Sequence, residues 1–135
     1  MSATPLNPWP IYDLHSHTRA SDGLLTPEEL VLRAVEQRVG VLAITDHDSV
    51  DGVQPAREAI ARHQLPLRLI AGVEVSSLWE NHEIHIVGLG VEEEHPVLKQ
   101  FLQAQSDRRM VRAQLIAERL EKARIPGALE GALAL

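Results

Sequence analysis

Four short apolar runs each deliver a histidine or a carboxylate at or near their end, and this recurrence constrains the chain more than any other feature. Residues 11–15 (IYDLH) read as a first strand, residues 41–44 (VLAI) as a second, residues 67–75 as a third and residues 84–89 (IHIVGL) as a fourth. Short all-apolar runs suit strands buried on both faces. Helix signals lie between them. Thr26, Pro27, Glu28 and Glu29 supply an N-cap, a first helical position and an acidic first turn. Leu30, Ala34 and Val35 continue that helix, and Gly40 is expected to end it. A second helix is expected over residues 53–63, and residues 79–83 read as a polar connection. Strands alternating with helices predict βαβ units in a mostly parallel sheet or barrel. From about residue 92 the pattern changes, and residues 95–124 are helical in pattern almost throughout.

With 135 residues the chain is long enough for one sizeable core. Aromatic residues make up only 3%, so that core must be built from Leu, Val, Ile and Ala. The net charge of −6 argues against nonspecific nucleic-acid binding through a basic surface. It does not argue against a phosphorylated substrate, because bound divalent ions reverse the local sign of an acidic site. There are no cysteines, which removes disulfides, thiolate metal sites and cysteine nucleophiles together. Any metal must therefore be held by N and O donors. Residues 1–9 carry no apolar signal core, and no run approaches the roughly 18 apolar residues of a membrane span. A cytoplasmic location is the expectation.

His15 and His17 stand two apart at a strand end, where period two sends both imidazoles to one side and lets them chelate one ion. An isolated pair of this kind reads equally as two polar loop residues. Asp13 is a candidate acceptor orienting one of the rings. Asp46, His47 and Asp48 follow the second apolar run directly, where parallel α/β architectures carry their chemistry. The bland alternative is a solvated turn with Asp48 capping the next helix. Glu74 ends the third run, and a carboxylate there is costly to bury unless paired or metal-bound. His85 sits inside the fourth run, where a lone histidine is more often a hydrogen-bonded core residue. Recurrence over four strands favours the metal reading, and His plus carboxylate ligation suits Mn, Fe or Zn. His63, His82 and His95 read as surface residues.

The stretches YDLHSHTRASDG, LAITDHDSVDG, GVEVS and EIHIVGLG, in this order and at domain-like spacing, resemble the PHP (polymerase and histidinol phosphatase) family. NHEIHIVGLG and QLIAERLEKARIPGALEGA are similar to the bacterial subgroup of 5′-to-3′ exoribonucleases of the RNase AM kind and 3′,5′-nucleoside bisphosphate phosphatases. The resemblance implies an α/β fold, the N-terminal half of a distorted (β/α)7 barrel followed by the start of a helical insertion domain. It divides the chain into a leader over residues 1–10, the N-terminal part of a PHP domain over 11–92, and the insertion over 93–135. It also implies up to three divalent ions, Mn first, with Fe or Zn as alternatives. His15 and His17 match ligands of one ion, Glu74 the carboxylate bridging it to a second, His85 a ligand of the second, and Asp22 and His47 ligands of a third. Asp13 and Asp46 match no ligand and stand as supports of the ligands. Members of the subgroup continue well past the position of Leu135 and supply further ligands there. The chain is therefore expected to be C-terminally truncated, to expose apolar strand edges and to be inactive by itself.

The implied activity is metal-dependent hydrolysis of a phosphoester, with water as the nucleophile. The expected partner is a nucleotide bearing a 5′-phosphate, or the 5′ end of an RNA, with no membrane partner. The alternatives are another PHP phosphatase, such as a histidinol-phosphate type, or a non-catalytic metal-binding PHP fragment. One further expectation concerns residues 98–123 as a helix. Its apolar seam runs through Leu98, Leu102, Ile116, Leu120 and Ala123, and Arg109 falls in the middle of it. A guanidinium centred on a packing face needs an anion, so Arg109, with Arg108 or Arg112, is a candidate grip for the uncleaved phosphate.

Overall fold

The computed structural model describes residues 9–135. The leader expected over residues 1–10 lies outside them except for its last two positions. The described residues form two units, the first ending at His95 and the second running over Pro96–Leu135.

In the first unit, β1 (Ile11–Asp13), β2 (Val39–Ile44), β3 (Arg68–Trp79) and β4 (His82–Leu89) form one sheet in that order. β1, β2 and β3 are parallel, and β4 runs antiparallel to β3. The expected parallel pattern thus holds for three strands and stops at the fourth. Its physical reason is the connection. Glu80 and Asn81 both take left-handed φ values, 46° and 66°, and make a two-residue turn between Trp79 and His82. A turn of that length makes a hairpin, whereas a parallel crossover needs a dozen residues or more. The polar connection expected over 79–83 is therefore mostly strand.

The helix α1 (Pro27–Glu36) forms at its predicted start. Thr26 Oγ1 accepts from the Glu29 N–H at 3.2 Å, and the Glu29 carboxylate accepts from the Thr26 N–H at 2.9 Å, closing a capping box. Gly40 does not end this helix. The turn is made by Arg38 at φ 62°, whose N–H donates to the Val35 carbonyl. Gly40 lies inside β2, where a Cβ would come within 2.4 Å of Pro10 Cβ. Its missing side chain lets the approach to β1 cross close over β2. The second helix, α2 (Val53–Arg62), ends on His63 as its C-cap.

The core sits between these two helices and the sheet. Leu42 and Ile44 of β2, two apart and so on one face, pack with Val31 and Ala34 of α1, Ala56 and Ala59 of α2, and Leu67. It is aliphatic throughout, as the shortage of aromatics requires. Full burial of a side chain such as Leu42 stabilises the fold by roughly 1.5–3 kcal/mol. An ion pair of Arg57 with Glu93 ties the segment after β4 to α2. The edge strands are less covered: Ile11 and Tyr12 of β1 and Ile86 and Leu89 of β4 are exposed, as expected of apolar sheet edges.

The second unit is α3 (Pro96–Lys122) followed by the short α4 (Ala128–Leu133), which packs back on α3 after a turn with left-handed Arg124 and Gly127. On α3 only Leu102 and Gln105 are buried, and Ile116 in the predicted seam is 46% exposed. Among the described residues no helix is long and apolar enough to cross a membrane.

Removing the Thr26 hydroxyl opens both halves of the capping box. Thr26→Ala is expected to lower unfolding stability by about 1–2 kcal/mol with an unchanged denaturant slope, as read from urea titration of the intact protein.

Candidate metal centre

The site grows from the C-terminal ends of the strands. Beyond β1, the Thr45 N–H donates to the Ser16 carbonyl at 2.8 Å, and the Ser16 hydroxyl donates to the Ala43 carbonyl at 2.6 Å. Ser16 is thus turned onto β2, and its neighbours His15 and His17 are turned together the other way. Beyond β2, His47 bridges to Glu74 in parallel pairing, with the Glu74 N–H on the Asp46 carbonyl and the Asp48 N–H on the Glu74 carbonyl, both at 3.0 Å. The hairpin pairs His85 with Ser76, which leaves it diagonal to Glu74 on one face.

Glu74 is the hub, with only 5% of its surface exposed. Its Oε2 lies 3.0 Å from His15 Nε2, 3.1 Å from His17 Nε2 and 3.7 Å from His47 Nδ1. Its Oε1 lies 3.2 Å from His85 Nδ1. Asp22 adds a second carboxylate, with Oδ1 3.4 Å from His17 Nδ1 and Oδ2 3.3 Å from His47 Nε2. The rings themselves are close: His17 stacks on His47 at 4.6 Å between centroids, and His47 meets His85 edge-on at 5.2 Å.

Asp46 organises this cluster from below. Its carboxylate is fully buried and accepts from the Thr18 N–H at 2.6 Å, the Thr18 hydroxyl at 2.7 Å and the Ser21 hydroxyl at 2.6 Å. It holds the loop that carries His17 and Asp22. Gly23 closes that loop, donating its N–H to the Thr18 carbonyl, and a Cβ there would lie 2.4 Å from the His17 carbonyl oxygen. Asp13 does less. Its Oδ1 accepts from the His15 backbone N–H at 3.3 Å, a main-chain contact rather than the ring contact expected. Asp48 does not cap α2, whose N-cap is Gly52. Instead it adopts φ 48° and accepts from the Ser76 N–H at 3.0 Å, fastening β2's extension to β3.

The electrostatics follow from this packing. Burial by itself would raise the Glu74 carboxyl. The hydrogen bond from His15 and the charges of His47, His15 and His17 outweigh that and hold it below the ordinary value of 4.5. The hydrogen bond His85 donates to Glu83 raises its imidazole above the ordinary value of 6.5 against partial desolvation, and Glu74 adds to the rise.

The donor set fits divalent ions on two observations. His17 Nδ1 and His47 Nδ1 are buried and make no hydrogen bond, a costly arrangement for imidazole nitrogens without a further partner. The separations also fit. Donor atoms held about 2.1 Å from one ion stand roughly 3–3.5 Å apart, and most of the contacts above fall there. Three triads have donor atoms within 4.8 Å of one another, namely His15–His17–Glu74, His17–Asp22–His47 and His47–Glu74–His85, and they share His17, His47 and Glu74.

All six residues expected as ligands are thus brought together. Arg108, Arg109 and Arg112 lie exposed on α3, and Arg108 Nη1 donates to Gln105 Oε1 at 2.8 Å. The helix seam is open at Arg109, so burial does not impose the anion that the sequence pattern called for. His63, His82 and His95 are exposed, and His63 pairs with Glu28. Sequence reasoning missed Thr18, Ser21 and Glu83. The last had a signal, standing two residues before His85 on a strand and so on its face.

Comparison with known proteins agrees with this geometry. Residues 13–122 match the PHP domain. The chain is 69% identical over 122 residues to the 5′-3′ exoribonuclease Rnm of Escherichia coli, covering 90% of this chain and 42% of that protein. It is 43% identical over 121 residues to the 3′,5′-nucleoside bisphosphate phosphatase of Chromobacterium violaceum, covering 90% and 42%. A solved structure of an amidohydrolase from Chromobacterium violaceum with bound sulfate superposes with a TM-score of 0.82 at 41% identity, covering 91% of this chain and 43% of that one. The chain spans less than half the length of each of these relatives. With its strand order, its cluster of histidines and carboxylates and a match over most of its sequence all in agreement, this chain belongs to the PHP domain family.

Proposed function

We propose that this chain carries the first ligands of a metal-dependent phosphoesterase acting on 5′-phosphate-bearing nucleotides or the 5′ end of RNA. The observation that carries the reading is the convergence of four imidazoles on the buried Glu74, with Asp22 against two of them. The 69% identity to a 5′-3′ exoribonuclease supports RNA ends as the substrate, and the 43% identity to a bisphosphate phosphatase supports the wider class of nucleotide phosphates. The reading includes a cytoplasmic location.

His15 and His17 would hold one ion with Glu74, His85 would hold a second with Glu74, and Asp22 and His47 would hold a third. Mn suits this mixed imidazole and carboxylate set, with Fe or Zn as alternatives. When bound, the ions supply Lewis acidity that neutralises phosphoryl charge and acidifies water. The protein's own part is placement. Asp46 fixes the His17–Asp22 loop, the parallel bridge fixes His47 against Glu74, and the hairpin fixes His85. In this reading Arg108, Arg109 and Arg112 of α3 grip the uncleaved phosphate. Arg109→Ala is then expected to weaken binding of a 3′,5′-bisphosphorylated nucleotide by roughly 1.5–3 kcal/mol while a simple monophosphate ester is hydrolysed as before. Equal losses on both substrates would remove that role.

The central test is Glu74→Gln in the intact protein, with Glu92→Gln as an exposed control. Glu74→Gln is expected to lower Mn affinity and turnover by more than the roughly 10–100-fold typical of residues that only support a ligand. Metal analysis after dialysis and hydrolysis of a 5′-phosphorylated RNA read the two effects. Near wild-type metal content in Glu74→Gln would defeat the reading. Asp46→Ala strands three donors and is expected to cost about 3 kcal/mol or more of stability. Asp13→Ala, which loses one long surface contact, is expected to cost under about 1 kcal/mol. Urea unfolding midpoints compare the two.

A further inference from the structure

We propose that Glu83, which lies outside the three donor triads, is a positioning residue that fixes the His85 ring with its Nε2 protonated and its Nδ1 lone pair turned to Glu74. This rests on the metal reading above. The His85 imidazole is held at both nitrogens. Nδ1 faces Glu74 Oε1 at 3.2 Å, and Nε2 faces Glu83 Oε1 at 3.1 Å. Only one nitrogen of a neutral imidazole carries the proton, so the two acceptors compete for it. Glu74 is the buried hub of the donor set, while the Glu83 side chain is 54% exposed and belongs to none of the triads. The triad with His85 is completed by His47 and Glu74, and Glu74 stands at the Nδ1 side of the ring. A cation there takes the Nδ1 lone pair, which leaves the proton on Nε2 with Glu83 to receive it. Carboxylates that accept from the far nitrogen of a ligating histidine set both tautomer and ring orientation.

Strand geometry makes the pairing a consequence of the fold. Glu83 and His85 are two apart on β4 and share a face. His85 is opposite Ser76, and Glu83 opposite Leu78. Glu83 therefore stands one step further from Glu74 along the same face, and reaches His85 from the side away from the hub.

The test uses the intact protein and Zn²⁺ as the probe. Wild type, Glu83→Ala, Glu83→Gln and the hairpin control Glu80→Gln are titrated with Zn²⁺ by calorimetry, and the His85 tautomer is read by long-range ¹H–¹⁵N NMR at mildly alkaline pH. In wild type loaded with Zn²⁺, His85 is expected as the Nε2–H form. Glu83→Ala is expected to weaken the affected site by about 10–100-fold and to mix the tautomers. Glu83→Gln keeps an acceptor oxygen and is expected to restore most of the affinity, and Glu80→Gln to match wild type. Glu83 is on the surface of the strand, so its truncation spares the core. A wild type that binds Zn²⁺ with His85 protonated on Nδ1, or a Glu83→Ala protein that binds as tightly as wild type, overturns this role alone. A wild type that binds no Zn²⁺ overturns the metal reading and this role with it.

Discussion

Two main-chain hydrogen bonds past the end of β2 hold up the rest of the site. The Glu74 N–H meets the Asp46 carbonyl, and the Asp48 N–H meets the Glu74 carbonyl. They continue the pairing of Ile44 with Ala71 in the same register, so His47 comes to face Glu74 directly. A one-residue slip would send His47 and the buried carboxylate of Asp46 to opposite faces from those they occupy. Backbone pairing therefore decides where the donors stand before any side-chain contact is made. Asp46 then uses that placement twice, its carbonyl in the bridge and its carboxylate in the loop of Thr18 and Ser21.

Burying Glu74 and Asp46, joined by a main-chain hydrogen bond, is unfavourable unless each is compensated. Asp46 is compensated by three donors from one loop, a local and complete solution. Glu74 is compensated by imidazoles from three other parts of the chain, beyond β1, beyond β2 and on β4. Because its carboxyl is held below the ordinary range, the stability it contributes is present above the unfolded value and is lost as pH falls through the folded one. The two carboxylates thus divide the work. Asp46 is internal structure, and Glu74 presents charge to whatever the imidazoles surround.

Much of this was legible because strand chemistry has a short period. His15 and His17 declared a shared side by being two apart, and the aliphatic run before Asp46 declared a buried strand. Thr26 and Glu29 announced their capping box with equal clarity. What the chain hid were features decided by distant neighbours. Gly40 looked like a helix stop, but it answers to Pro10 across the sheet. Asp48 looked like a cap, but Ser76 claims it. Glu80 and Asn81 lack the glycine of a common hairpin turn, so the antiparallel β4 did not show. Arg109 sat on an apparent seam because periodicity alone cannot say which part of a helix is covered, and on α3 burial is confined to Leu102 and Gln105.

The donors also differ in how far they are covered, and the difference gives the site a direction. The side chains of Glu74, His47 and His17 are 7%, 15% and 23% exposed, whereas those of His85, His15 and Asp22 are 36%, 53% and 66% exposed. The covered three are the ones shared among the triads, and the open three each belong to a single triad. The exposed three leave one side of the cluster accessible. In the reading proposed above, a phosphate would reach the cluster from the side of His15, Asp22 and His85. In that reading bound cations would supply the attraction that a chain of net charge −6 does not.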